Sequence, residues 1–271
     1  MKIVSNNESS LRKQATDTPV IEIAAVSKIY RTHDGEIPSV SAVDLSVNDG
    51  EFVVIVGPSG CGKTTLLKMI SGLLVPSEGE VRVEGKAITK PHGNVGIVFQ
   101  SAMLLPWRSV LKNVMMPVEV KKLPVSTFEA RARALLKLTG LEGFENKYPW
   151  QLSGGMQQRV SICRALVHDP KIVLMDEPFG ALDAMTREHM NVELMRIQRE
   201  TKKTILLITH SIPEAVFLAN RVVVMTPRPG KIAAIYDVPL PSIRTLDMMS
   251  STAFMEMTQK LRHHFSDAGI D

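Results

Sequence analysis

Residues 51–74 read EFVVIVGPSGCGKTTLLKMISGLL. After Glu51 the run is apolar and rich in valine, the pattern of a short buried strand. Glycine then crowds the segment Gly57-Pro58-Ser59-Gly60-Cys61-Gly62-Lys63-Thr64-Thr65, which fits GxxxxGK[ST]. From Thr64 onward apolar residues recur at helical spacing, and a helix is expected until Pro76. Strand, glycine loop and helix together form the context that a phosphate-binding P-loop demands. The glycines let backbone amides turn inward around phosphates, and the helix N-terminus adds a favourable dipole. Lys63 would reach the β- and γ-phosphates, while the Thr64 hydroxyl would ligate Mg²⁺. Cys61 occupies a variable position of the loop and reads as a small space-filler.

Around this loop the composition allows a large core. The chain has 271 residues, 44% of them apolar, enough for one large domain or two closely packed lobes. Its longest apolar runs, such as Phe52 to Val56 and Ile205 to Ile208, fall far below the roughly 20 residues of a membrane-spanning helix. A soluble chain is expected, with any membrane link made through a partner. The opening MKIVSNNESSLRKQ has no long apolar stretch of the secretory kind, and the two cysteines, Cys61 and Cys163, both fall inside motifs. A reducing cytoplasm without disulfides follows. The formal charge of +4 is mild and dispersed, unlike the basic stripe of a nucleic-acid binder.

Upstream of the P-loop, residues 1–18 are polar and unpatterned, and are expected to form a flexible arm. The runs at 20–26 and 41–47 are short, β-branched and bounded by turn residues, so an antiparallel β region should precede the core strand. Downstream, 80–85 and 94–99 are strand-like, and a helical lobe is expected over about residues 101–160. In that lobe Ser126-Thr-Phe-Glu129 has the form of a capping box and Gly140 stands where a helix would stop. The methionines Met103, Met115 and Met116 read as packing for the lobe. Runs at 171–176, 204–209 and 221–226 are apolar on both faces, as buried parallel strands should be. The fold class is therefore α/β: a mostly parallel sheet with an antiparallel β region and an inserted helical lobe, spanning about 19–240. The last stretch, 241–271, reads as a helical extension packing back on the domain, with His263 and His264 in solvent.

Two further motifs carry chemistry. KIVLMDEP at 171–178 ends an apolar strand in two carboxylates. Alternation along a strand sends neighbours in opposite directions, so Asp176 and Glu177 need not share a task. Asp176 fits a Mg²⁺ contact beside the P-loop, leaving Glu177 to polarise the attacking water. LSGGMQQR at 152–159 places a hydroxyl and bare amides, from Ser153, Gly154 and Gly155, at the start of a helical run. That is a second anion-binding surface in one chain.

With LSGGMQQR between the P-loop and the acidic strand end, the sequence resembles the ATP-binding cassette (ABC) family over about residues 20–235. The resemblance implies ATP and Mg²⁺ as cofactors and supplies several roles. Gln100 would be the Q-loop residue touching Mg²⁺ or the attacking water. Ala181-Leu182-Asp183 would be the D-loop, His210 the switch histidine that contacts the γ-phosphate, and Tyr30 the aromatic stacked on adenine. It implies a homodimer in which Ser153, Gly154 and Gly155 of one subunit close on ATP held by Lys63 of the other. Ser211 stands where family relatives usually carry Asp, yet Ser211-Ile-Pro-Glu214 still forms a capping box. The segment SAMLLPWRSVLKNV should abut a membrane subunit, with Trp107 and Arg108 as contacts.

Within the family, LLPWRSVLKNV, PFGALDAMTR and PEAVFLANRVVVMTPRPGKI are similar to importer ATPases for nitrate, sulfonates, taurine and related small solutes, pyrimidine vitamin precursors included. The implied setting is the cytoplasmic face of the inner membrane, peripheral through permease subunits and linked indirectly to a solute-binding protein, with no nucleic acid. Exporter or lipid-transporter service is the alternative, and a soluble, non-transport ABC protein a more distant one. The latter usually pairs two cassettes or inserts a long coiled coil, and neither pattern is visible here.

Overall fold

The valine- and isoleucine-rich runs before the P-loop pair into an antiparallel layer. In the computed structural model, which describes residues 19–33, 35–180 and 182–267, β1 (Ile21–Thr32) and β2 (Gly35–Val47) form a long hairpin. The arm expected over 1–18 lies outside the described residues. β3 (Phe52–Val56) leads through the glycine loop into α1 (Lys63–Ile70). The chain then returns to β1 as β4 (Glu78–Val83) and β5 (Lys86–Ala87), completing a four-stranded sheet in the order β2-β1-β4-β5.

The remaining strands build the layer that carries the site. β6 (Val95–Val98) precedes three helices, α2 (Val110–Val120), α3 (Val125–Leu138) and α4 (Gly154–Leu166), which pack on one another as a lobe. β7 (Ile172–Asp176), α5 (Ala184–Thr201), β8 (Thr204–Thr209), α6 (Ile212–Leu218), β9 (Arg221–Met225), β10 (Ile232–Asp237) and α7 (Thr252–Asp267) complete the chain. Their sheet runs β10-β9-β3-β8-β7-β6, parallel except for β10.

Every residue of β3, β7 and β8 is buried, because this sheet is covered on both faces. Val53 and Ile55 of β3 pack toward the antiparallel sheet and α1. Val54 and Val56 pack toward the helices. Each such side chain contributes about 1.5–3 kcal/mol relative to exposure, so the strand that delivers the P-loop is among the most firmly held parts of the molecule.

Four local expectations change. α1 ends at Ile70 and not at Pro76, because the amides of Ser71, Leu73 and Leu74 fold back onto the carbonyls of Leu67 and Lys68. Ser126 does not cap α3: the helix starts one residue earlier behind Pro124, without a side-chain cap, and Glu129 pairs with Arg133 instead. Met115 is buried as lobe packing, whereas Met103 is 61% exposed on a backbone at φ 45. His264 is not left to solvent, since its Nδ1 lies 3.1 Å from the Tyr236 hydroxyl.

Gly140 turns left-handed just after α3. In α7 the residues Phe254, Met257 and Leu261 are buried at helical spacing, and the helix packs on α6. Arg244 reinforces that contact: its guanidinium donates to the carbonyls of Val216, Phe217 and Ala219, groups that the end of α6 leaves without partners.

Candidate functional site

The P-loop is shaped by close approaches as much as by turns. Gly62 sits at φ 107, and a Cβ there would stand 2.7 Å from the Ser39 carbonyl oxygen, so only glycine fits. The following helix begins with the buried Lys63, whose Nζ donates to the carbonyls of Gly57 and Pro58, both at 2.8 Å. The ammonium thus lies in the bowl of the loop. Ser39 Oγ donates to Thr65 Oγ1 at 3.1 Å, and the Tyr30 hydroxyl lies 3.3 Å from the same oxygen. Burial pushes the Cys61 thiol upward, against the pull of Lys63, which leaves it a packing residue with no thiolate chemistry.

A cavity of about 520 Å³ opens over this loop. Ser59, Gly60, Gly62, Lys63, Thr64 and Thr65 line it, together with Gln100, Glu177 and His210. These last three follow β6, β7 and β8, so neighbouring strands deliver them at their C-terminal ends, where open α/β sheets bind ligands. β8 stands between β7 and β3, so the acidic strand is one place removed from the P-loop strand.

Glu177 is the centre of the cluster. It lies just past β7, and its backbone adopts φ 46, a left-handed conformation that costs a non-glycine residue about 1 kcal/mol. Strand alternation therefore does not separate it from Asp176; the turn does. Gln100 Nε2 donates to Glu177 Oε2 at 3.2 Å, and His210 Nδ1 lies 3.3 Å from the same oxygen. Asp176 is buried, which raises its carboxyl, while a hydrogen bond with Thr64 and the charge of Lys63 act in the opposite direction.

Thr64 and Asp176 are hard oxygen donors side by side, suited to Mg²⁺. Among the described residues no cluster of three or more His, Cys, Asp or Glu could cage a metal. Any cation held by Thr64 and Asp176 would have few protein ligands, an arrangement compatible with Mg²⁺ bound with phosphates and water.

The residues on either side of His210 are tied together by contacts that the sequence only half shows. The Thr209 hydroxyl donates to Glu214 Oε2 and accepts from the Ser211 amide at 3.0 Å, while Ser211 Oγ accepts from the Glu214 amide at 3.4 Å. Ser211 therefore caps α6, but Glu214 turns to Thr209 where a reciprocal capping box would turn it to Ser211. Burial raises the Glu214 carboxyl above the ordinary glutamate range.

The structure does not bring the LSGG residues to the cavity. Ser153 caps α4, its Oγ accepting from the Met156 amide at 3.3 Å, and Asp183 caps α5, accepting from the Thr186 amide at 2.9 Å. That bond holds the Asp183 carboxyl below its usual range. The two caps adjoin, since a Cβ on Gly155 would stand 2.8 Å from the Leu182 side chain. Ala181 lies outside the described residues. Farther along α4, Gln158 Nε2 donates to the Phe99 carbonyl at 2.9 Å, and Arg164 donates to those of Ala102 and Met103 at 2.7 and 2.8 Å. The segment around Gln100 is thus strapped to α4 on both sides. Trp107 is 71% exposed, whereas Arg108 pairs with Glu119 at 2.7 Å.

Arg228 was not anticipated. It lies in the turn between β9 and β10 and lines the same cavity as Lys63. Its sequence signal was only the PRPG turn, which says nothing about where the side chain points.

Comparison with known proteins agrees with this arrangement. The profile of the ABC transporter family matches residues 40–180. The chain is 40% identical over 250 residues to the aliphatic sulfonates import ATP-binding protein of Bacillus cereus, covering 92% of this chain and 97% of the relative. It is 46% identical over 207 residues to the taurine import ATP-binding protein of Yersinia pestis, covering 76% and 81%. A solved ATP-binding cassette, a dimer in a post-hydrolysis state bound to ADP and Pi, superposes with a TM-score of 0.73 at 34% identity, covering 83% of this chain and all of that one.

Proposed function

This chain belongs to the ABC transporter family and is its ATP-binding, ATP-hydrolysing subunit, and from that premise we propose that two copies energise the import of a small solute of the sulfonate and taurine class. One observation carries the reading. The cavity holds Lys63, Gln100, Glu177 and His210, but Ser153, Gly154 and Gly155 stand elsewhere with their cap facing outward. Each chain therefore offers one half of two different phosphate sites, and pairing completes both. The dimeric form of the solved relative supports that pairing.

In the completed site the amides of Gly57 to Thr65 and the Lys63 ammonium hold the phosphates, and Tyr30 holds the base. Mg²⁺, when bound, would neutralise developing charge on the phosphates, held by Thr64 and Asp176, with Gln100 beside it. Glu177 orients and polarises the attacking water. His210, whose neighbours Thr209 and Ser211 are hydrogen-bonded to each other, meets the γ-phosphate. Ser153 to Gly155 and Asp183 of the second copy close the site from across the interface. Loss of the γ-phosphate removes the group that joins the halves, and the dimer loosens.

The exposed Trp107 and the segment from Gln100 to Arg108 would receive a permease subunit, placing the protein on the cytoplasmic face of the membrane. No helix among the described residues is long and apolar enough to cross a membrane.

The test is Glu177→Gln. ATP affinity should persist, hydrolysis should fall by roughly a hundredfold or more, as for removal of a general base, and size-exclusion chromatography with ATP should show a stable dimer. Normal turnover by this variant would remove Glu177 from its role.

A further inference from the structure

The turn between β9 and β10 is pressed against the P-loop. A Cβ on Gly230 would stand 2.0 Å from the Cys61 carbonyl oxygen, so glycine alone permits the approach. The turn is also stitched to β2, since the Gly230 amide donates to the Ser39 carbonyl at 2.9 Å and the Ser41 amide to the Gly230 carbonyl at 3.0 Å. Within it, the Thr226 amide donates to the Lys231 carbonyl at 2.9 Å, and the Lys231 amide to Thr226 Oγ1 at 3.0 Å. A turn fixed at both ends carries Arg228 at its tip. The guanidinium Nε donates to the Gly60 carbonyl at 3.1 Å, which anchors the side chain on the rim of the cavity.

We propose that Arg228 is a further nucleotide-binding residue, contacting the polyphosphate from its anchor on the P-loop at Gly60. The inference rests on the ATP-binding reading of this cavity. Anchoring through Nε leaves both terminal nitrogens of the fork as donors, the geometry that suits phosphate oxygens. Among the described residues, no carboxylate lies within ion-pairing distance of Arg228, and none within that distance of Lys63. Two cations thus line one cavity, neither of them in an ion pair, so an anion entering it gains from both. Gly60 belongs to the loop whose amides would converge on the phosphates, and among the described residues the Arg228 guanidinium hydrogen-bonds to that residue alone. A tether on this loop favours contact with the polyphosphate over contact with the base.

The competing account is that Arg228 only braces the Gly60 carbonyl. Three variants separate the two: Arg228→Ala, Arg228→Gln, which keeps an amide donor for that carbonyl but no charge, and Arg228→Lys, which keeps the charge. ATP and adenosine would each be competed against a fluorescent ATP analogue on the intact chain, with thermal melting confirming the fold. Loss of one charge-assisted phosphate contact should weaken ATP by about tenfold in both Arg228→Ala and Arg228→Gln, with partial recovery in Arg228→Lys and adenosine unchanged. Wild-type affinity in Arg228→Gln, or equal losses for ATP and adenosine, would overturn the proposal. Lys63→Ala serves as the separate control: if that variant kept its ATP affinity, the reading of the cavity itself would fail, whatever Arg228 does.

Discussion

Individual residues divide into those that announce themselves in sequence and those that only the fold reveals. Lys63, Glu177 and Ser153 sit inside recognisable motifs, and the structure places them at the start of α1, just past β7 and at the cap of α4. Arg228 and Glu214 could not be found that way. Their meaning depends on contacts to Gly60 and Thr209, and the first joins residues far apart in the chain. Met103 departs from the packing that its apolar side chain suggests: it is exposed, on a left-handed backbone. His168 yields a prediction of its own. Burial first, and then the positive charge of Lys121, hold its imidazole down at about 4, against an ordinary value of 6.5. Below pH 6.5 the unfolded chain takes up a proton that the folded chain refuses until about pH 4, so this group's contribution falls as pH drops through that window. His168→Leu should gain in melting temperature relative to wild type between those limits. Scanning calorimetry at several pH values checks it, and a gap that does not vary with pH would contradict it.

Whole elements were legible where both sides of a strand are covered. The apolar runs at β7, β8 and β9 have the pattern of buried parallel strands, and they form such a sheet with β3 and β6. Helix ends were less legible, because a cap is decided by backbone geometry that sequence spacing only suggests. Ser211 and Ser153 do cap their helices, whereas Ser126 lies within a first turn that begins at Val125. The element with the clearest mechanical role is α4, which carries the LSGG cap at one end and grips the Gln100 segment with Gln158 and Arg164. Arg164→Ala would strand the carbonyls of Ala102 and Met103 and cost about 2 kcal/mol. Hydrogen exchange should quicken at residues 99–104 while β3 and β8 stay protected. Unchanged exchange there would show that the strap is not what orders the segment.

At the scale of the molecule, the central sheet separates two cores, one shared with the antiparallel strands and α1, the other with the lobe and the C-terminal helices. The extension after β10 belongs to the second of these. Leu261 is fully buried, α7 packs on α6, and Arg244 is bound to the end of α6. Leu261→Ala should therefore lower stability by about 2–4 kcal/mol within a single urea transition. An early, separate transition would mean that the extension melts by itself. The same connectedness reaches the chemistry. One oxygen of Glu177 receives both Gln100 and His210, and Gln100 is carried by the strap on α4. A rotation of the lobe that draws Gln100 away would leave that oxygen to His210 alone. The aim of the carboxylate thus becomes a mechanical variable, set by a helix that touches none of its atoms.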